Sequence, residues 1–373
     1  MSNLKRIGVV IVALAFFALV MASFRGNEIL ERAIIIGIGI DKSEDGLILT
    51  AEVVSPGNGQ EQVGTFSKTV TVSGPTVGEA IRKVAEKTGK EASLGQCVVL
   101  VLGQEFYQTV DFSDVIDYFV NHHSFKESAV ICCCEGKAVD LFNKSNALSQ
   151  SVSLSVASML LDEAKKVGVA TNKLLQYTRS QQELDKTGFL NKIKFVPSEN
   201  KDSNDPDKTQ GYFTYRELAV FRQNTFVCDL SEDEVKGMSL FLKDTEGENF
   251  ISDESGLTLT IQVNNKDVKQ ELKNDEISID ITLSVRLART DSDEVTGAIT
   301  AKKDKEIDPK VIEDVRQQAT SLAELFVNKQ AEYNFDLLKF HEMVRQKEGS
   351  SKELAEKPTS DFTVKLKIEV KEN

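Results

Sequence analysis

The sequence predicts an α+β fold with mixed and antiparallel sheets covered by helices, set behind one N-terminal apolar helix. Three observations predict it: an uncharged apolar run at the start, β-branched segments alternating with capped amphipathic helices in the first half, and strict two-residue alternation in the second. A chain of 373 residues has room for two or three compact units. With 40% hydrophobic and 28% charged residues it lies at globular values, so disorder is excluded as its main state. A net charge of -13 without a concentrated basic patch excludes a nucleic-acid backbone as partner. Five Cys are too few for a disulfide scaffold, and an odd number cannot all pair within the chain.

Lys5 and Arg6 precede the run from Ile7 to Phe24, which as a helix reaches about 27 Å, close to the ~30 Å hydrocarbon core of a bilayer. The run carries no charged residue, which argues against a helix packed on a core with one wet face. Arg25, Glu28, Glu31 and Arg32 behind it nearly balance, so the N-terminus stays cytoplasmic and the remainder is exported. Residues 1–24 are therefore expected to form an N-terminal membrane anchor or signal, followed by a multi-domain exported ectodomain. Retention is preferred to cleavage near Val20-Met21-Ala22, because the run is longer than a usual h-region.

An N-terminal α+β domain is expected over 25–186. Ala33 to Asp41 is β-branched, a turn cluster from Lys42 to Gly46 follows, and Leu47 to Val54 completes a hairpin. Gly37-x-Gly39 lacks the third Gly and the following helix of a dinucleotide fingerprint, so these glycines are expected to admit a close neighbour. After a strand from Val63 to Val72, Thr76 and Glu79 have capping-box spacing, and Val77, Ala80, Ile81, Val84 and Ala85 form one apolar stripe. Cys97 to Leu102 is a continuous apolar strand, and Asp111 to Val120 is a helix with Val115, Ile116 and Phe119 inward. Ala129 to Cys134 is a further strand, followed by a helix through Ala138, Leu141 and Phe142 and another through Val152, Val156, Met159 and Leu160.

Cys132-Cys133-Cys134, with His122 and His123 upstream, is the sharpest cluster. Zinc ligands come in pairs spaced by about two to four residues, whereas consecutive strand residues face opposite ways. The thiols are expected to be small buried hydrophobes. His122 and His123 lie in a polar turn and His341 stands alone in a helix, so no catalytic constellation, metal set or cofactor site is expected.

A middle domain is expected over 187–252: a strand from Lys192 to Val196, a polar tip from Pro197 to Gln210, strands from Tyr212 to Arg222 and Thr225 to Leu230, and a short helix capped by Ser231 and Glu234. The C-terminal domain, 253–373, is expected to be an antiparallel, half-solvated sheet with a long helix. Ile277, Ile279, Ile281, Leu283, Val285 and Leu287 share one face. Asp308-Pro309 opens a helix whose Ile312, Val315, Ala319, Leu322 and Phe326 cover that face, and Phe362 to Val370 closes the chain in alternation.

Ala33 to Asp41 with Asp45-Gly46, then Gln96 to Glu105, then Glu217-Leu218-Ala219-Val220-Phe221 with Asp229-Leu230 and Glu234-x-x-Gly237, and finally Asn334-Phe335-Asp336-Leu337, together resemble the Ger(x)C family, the C subunits of spore germinant receptors. The resemblance implies an extracytoplasmic three-domain protein at the inner spore membrane, held with multi-spanning A and B subunits and required for the response to small-molecule germinants. It also implies a lipid-bearing Cys ten residues before Ala33, where this chain has Ser23, so Ser23 occupies the lipidation position without the thiol and the apolar helix is expected to be the tether. The family's C-terminal Trp residues are absent too, since the chain has none.

Two function classes follow. The first is a non-enzymatic germinant-receptor subunit that acts through protein contacts with the A and B subunits. The alternative is an exported, membrane-anchored solute-binding or scaffolding protein of the cell envelope. Enzyme activity is not expected, because the carboxylates scatter over polar strand faces and helix ends.

Overall fold

The computed structural model describes residues 32–55, 66–146, 151–164, 168–197, 210–242, 248–254, 257–273, 276–291, 307–347 and 357–372. The expected anchor and Ser23 lie outside these residues, as does most of the polar tip after Pro197. Among the described residues no helix is long and apolar enough to cross a membrane.

Strands β1 (Arg32–Ser43) and β2 (Gly46–Ser55) form the expected hairpin, and β3 (Phe66–Gly74) pairs antiparallel with β2. Helix α1 (Val77–Thr88) starts at the expected cap: the Thr76 hydroxyl accepts from the Glu79 amide, and Val77, Ala80, Ile81 and Val84 are buried. There follow β4 (Glu91–Ser93), β5 (Val99–Leu102), α2 (Gln104–Thr109), α3 (Ser113–Asn121), β6 (Val130–Cys134), α4 (Ala138–Phe142), β7 (Ser145–Asn146) and α5 (Val152–Ser158). Helix α6 (Leu174–Ser180) then leads into β8 (Thr187–Pro197), β9 (Gln210–Arg222) and β10 (Thr225–Leu230).

Among the described residues these strands make one ten-stranded sheet, with the path β10-β9-β8-β6-β5-β1-β2-β3, β4 beside β1 and β7 beside β9. β1, β5, β6 and β8 are parallel neighbours. Parallel strands are covered on both faces, which is why Val99–Leu102 and Val130–Cys134 read as unbroken apolar runs and are wholly buried. One face packs Val77, Phe106, Val115 and Leu174 from α1, α2, α3 and α6, and the other packs Ala138 and Val152 from α4 and α5. Gly37 and Gly39 open that second face: a Cβ on Gly39 would lie 2.8 Å from the Phe142 ring, and one on Gly37 would strike Ser153. The close neighbours expected there are these two helices.

The sheet crosses the expected 186/187 division. β8 pairs with β6, Cys132 opposite Asn191, so one sheet runs through the 186/187 boundary and the middle-domain hairpin is its extension. The hairpin supplies the ladder that β6 would otherwise expose at a free edge. Helix α7 (Glu232–Ser239) then crosses to the C-terminal unit.

That unit holds β11 (Asn249–Glu254), β12 (Leu257–Lys273), β13 (Glu276–Asp291), α8 (Pro309–Glu332), α9 (Phe340–Gln346) and β14 (Thr363–Glu372), in the sheet order β11-β12-β13-β14. β11 starts ahead of the expected 252/253 boundary. The closing strand corrects the expected antiparallel sheet: it runs parallel to β13 with Ile277 opposite Val364, so the sheet is mixed. Alternation is the same for both directions, and the crossover that a parallel return requires is α8 with α9. Asp308 accepts from the Lys310 amide at 2.7 Å with Pro309 at the first helical position, and α8 buries Val311, Val315, Ala319, Ala323 and Phe326. These pack with the Ile277 to Val285 face of β13 and with Leu218, Val220, Cys228 and Leu230 of β9 and β10, so the two sheets share a core.

Candidate functional site

The candidate site is the joint between the loop 183–186 ahead of β8 and the first turn of α9. The chain leaves α8 with Asn334 in the left-handed region, φ 51°. Asp336 then caps α9, accepting from the amides of Phe340 and His341 at 2.9 Å each. This cap sets the His341 ring against the same carboxylate: Nδ1 lies 2.9 Å from Asp336 Oδ2 and 2.9 Å from Asp185 Oδ2. Nε2 lies 2.6 Å from the Lys357 carbonyl oxygen. A carbonyl oxygen only accepts, so Nε2 donates, and against ionised carboxylates Nδ1 donates as well, an arrangement that favours the imidazolium.

Electrostatics follow that geometry. The bonds to Asp185 and then Asp336 lift the His341 pKa to about 10 against the opposing effect of burial. Burial pushes the Asp336 carboxyl up, but the bonds from the His341 ring and amide outweigh it and hold this group below its usual range. Burial and the neighbouring Asp336 keep the Asp185 carboxyl above its usual range. Lys339 and Glu183 close the rim at 2.7 Å, over a small cleft that Leu184, Lys186 and Glu342 complete. Asp185, Asp336 and His341 also bring three ligand-type atoms within 4.8 Å. In this arrangement the ring bridges the two carboxylates as an ion clasp.

Sequence reasoning missed this clasp. His341 stood alone in a helix, and its available signal was the Asp336 cap five residues earlier; nothing in the sequence pointed to Asp185.

Other polar side chains, several of them in the motifs quoted above, form further joints. Asp41, at the end of β1, accepts from the amides of Ala138 at 2.7 Å and Val139 at 2.9 Å, which starts α4. Gln104 and Gly136 exchange bonds of 2.7 and 2.9 Å beside it. Lys192, buried on β8, reaches Asp229 on β10 at 2.7 Å and Glu217 on β9 at 3.8 Å. Burial lowers its pKa, but the Asp229 bond and charge more than compensate. Glu234 caps α7 and meets Lys329 of α8 at 3.3 Å. Glu52, buried on β2, accepts from the Ser153 amide at 2.8 Å, beneath an open groove edged by Lys68, Thr69, Asn143 and Lys144.

Cys132 and Cys134 enter the core under α4 and α5, while Cys133 enters the opposite one. Burial pushes all three thiols well up, and Cys97 to about 12. His122 and His123 stack at 4.9 Å in the turn after α3, at the rim of the sheet and not among the cysteines.

Two family models cover nearly the whole chain: residues 25–195 match the spore germination protein N-terminal domain, and residues 216–373 match the spore germination B3/GerAC-like C-terminal domain. The chain belongs to the Ger(x)C family. A crystal structure of the GerBC protein matches with a TM-score of 0.54 and 16% identity, covering 90% of this chain and 96% of that one. At that identity the likeness speaks for the fold, a mixed α+β fold. No curated protein matches the chain at a significant level. In this Ger(x)C chain the quoted motifs are joints: Asp41 and Gln104 tie strand ends, Glu217 and Asp229 hold Lys192, Glu234 and Gly237 seat α7, and Asp336 builds the clasp.

Proposed function

We propose that this chain is a non-enzymatic subunit of a membrane-associated spore germinant receptor, needed for the germination response to small-molecule nutrients and working through protein contacts with multi-spanning A and B subunits. The observation that carries the reading is the pair of spore-germination models covering 25–195 and 216–373 behind an apolar N-terminal run. It is supported by the way the acidic and basic motif residues are engaged in caps and ion pairs that join elements, leaving them to structure rather than to chemistry. The protein sits on the extracytoplasmic face, in this reading at the inner spore membrane, with residues 7–24 as tether and Ser23 unlipidated.

Affinity purification of the tagged full chain from spore membranes tests this. A multi-spanning partner should co-elute; elution of the chain alone overturns the receptor reading. Metabolic labelling with a fatty-acid analogue should leave the chain unmarked while alkaline carbonate leaves it in the membrane pellet, and a label at Ser23 would contradict the tether.

A further inference from the structure

We propose that the end of the ten-stranded sheet carrying the starts of β1 and β4 faces the lipid headgroups, with the opposite, acidic end held away from the membrane. This rests on the anchor reading above. Residues 25–31 join the apolar run to Arg32 and, at ~3.4 Å per residue, reach about 24 Å at most. β1 starts within that reach, and its twelve residues then run roughly 36 Å further to Ser43. Arg32 pairs with Glu91 at 3.8 Å, and Gly95 lies beside the Ser124 carbonyl, so the turns before β5 and β6 belong to the same end.

A tether of this length alone would let the sheet tip over, and charge decides its attitude. At the near end exposed Arg32, Lys126 and Lys173, the last bridged to Val130 at the start of β6, stand against exposed Glu91 and Glu127, with exposed His123 beside them. At the far end Glu44, Asp45, Glu105, Glu135 and Asp140 are all exposed against Lys42 and Lys137. Lys42 is itself paired with Glu105 at 3.3 Å, and bonds at Asp41 and Gln104 gather these turns into one rim. An anionic headgroup layer repels that rim, and its field fades over a Debye length of roughly 10 Å. Standing upright places the rim outside the field; lying flat brings it in.

The five native thiols are buried, so single introduced cysteines can be labelled selectively. The purified full chain is reconstituted in phosphatidylcholine–phosphatidylglycerol vesicles bearing headgroup nitroxides, with a fluorophore on Gln96→Cys or on Glu44→Cys. Quenching should be several-fold stronger at Gln96→Cys, and adding Glu135→Gln and Asp140→Asn should narrow the difference. Equal or inverted quenching with the chain sedimenting on vesicles overturns the orientation while sparing the anchor. Protection of Gln96→Cys that requires a co-reconstituted multi-spanning protein overturns the lipid contact in favour of a protein one. A chain that fails to sediment with vesicles overturns the anchor reading and this proposal with it.

Discussion

His341 binds Asp336 twice, through its backbone amide and through its ring, at 2.9 Å each. One carboxylate thus caps α9 and fixes the charge state of the residue it caps. Because Asp185 and Lys357 complete the ring's partners, the same contact ties the loop ahead of β8 to the C-terminal unit and to the segment entering β14.

This clasp has a pH signature. The folded-state pKa of His341, about 10, lies above the usual ~6.5. Below the lower value the ring is charged in both states and the clasp contributes fully. As pH rises toward the upper value the unfolded chain gives up its proton first and the contribution fades. With Asp185 partly exposed and screened, the loss should be on the order of 1 to 3 kcal/mol. Urea unfolding midpoints should therefore fall between pH ~6.5 and ~10, and His341→Gln should remove that slope. An identical slope in the variant would assign it to other groups.

Gly237→Ala tests the crossing of α7 and α8. Alanine is the better helix former, but its Cβ would strike the Leu322 carbonyl. Overpacking of this kind costs typically 1 to 3 kcal/mol, against less than about 1 gained in propensity. The variant should melt lower than the parent, and a higher melting temperature would show that the helices part freely.

The buried thiols lead to a chemical prediction. Cys132, Cys133 and Cys134 are fully buried, so a maleimide should leave them unmodified in the native chain and modify them in denaturant. Cys132→Val keeps an apolar filling, whereas Cys132→Ser buries a hydroxyl at a cost of roughly 1 to 3 kcal/mol. Rapid native labelling would mean that β6 opens.

What the sequence disclosed and what it hid divide along a physical line. Caps at Thr76, Ser231 and Asp308 were legible because capping is local, with donor and acceptor within three residues. Burial of the cysteines was legible because strand alternation sends neighbours to opposite faces. The direction of β14 was not legible, since parallel and antiparallel strands alternate alike. Nor was the union of β8 with β6, because pairing partners distant in sequence leave no periodic trace. The clasp failed to show for the same reason: Asp185 and His341 meet only once both sheets have formed.

The closing strand gives the last prediction. β14 pairs with β13 from Thr363 opposite Glu276 to Glu372 opposite Val285. Phe362 and Ile368 are buried, and Val364, Leu366 and Val370 pack partly on the same core. At about 1.5 to 3 kcal/mol for each fully buried large side chain, and less for the others, the sum approaches the ~5 to 15 kcal/mol stability of a whole domain. Truncation after Glu356 also removes the Lys357 carbonyl from His341 and the Thr359 amide from Asn334, which it meets at 2.8 Å. Such a chain should lose cooperative unfolding of the C-terminal unit in calorimetry. Lys365→Ser, which breaks an exposed pair with Glu276 at 2.6 Å, should change stability by less than about 0.5 kcal/mol. Limited proteolysis supplies the opposing outcome: rapid loss of the residues beyond Glu356 with an unchanged melting transition would show that β14 contributes nothing to the core, against the packing of Phe362 and Ile368.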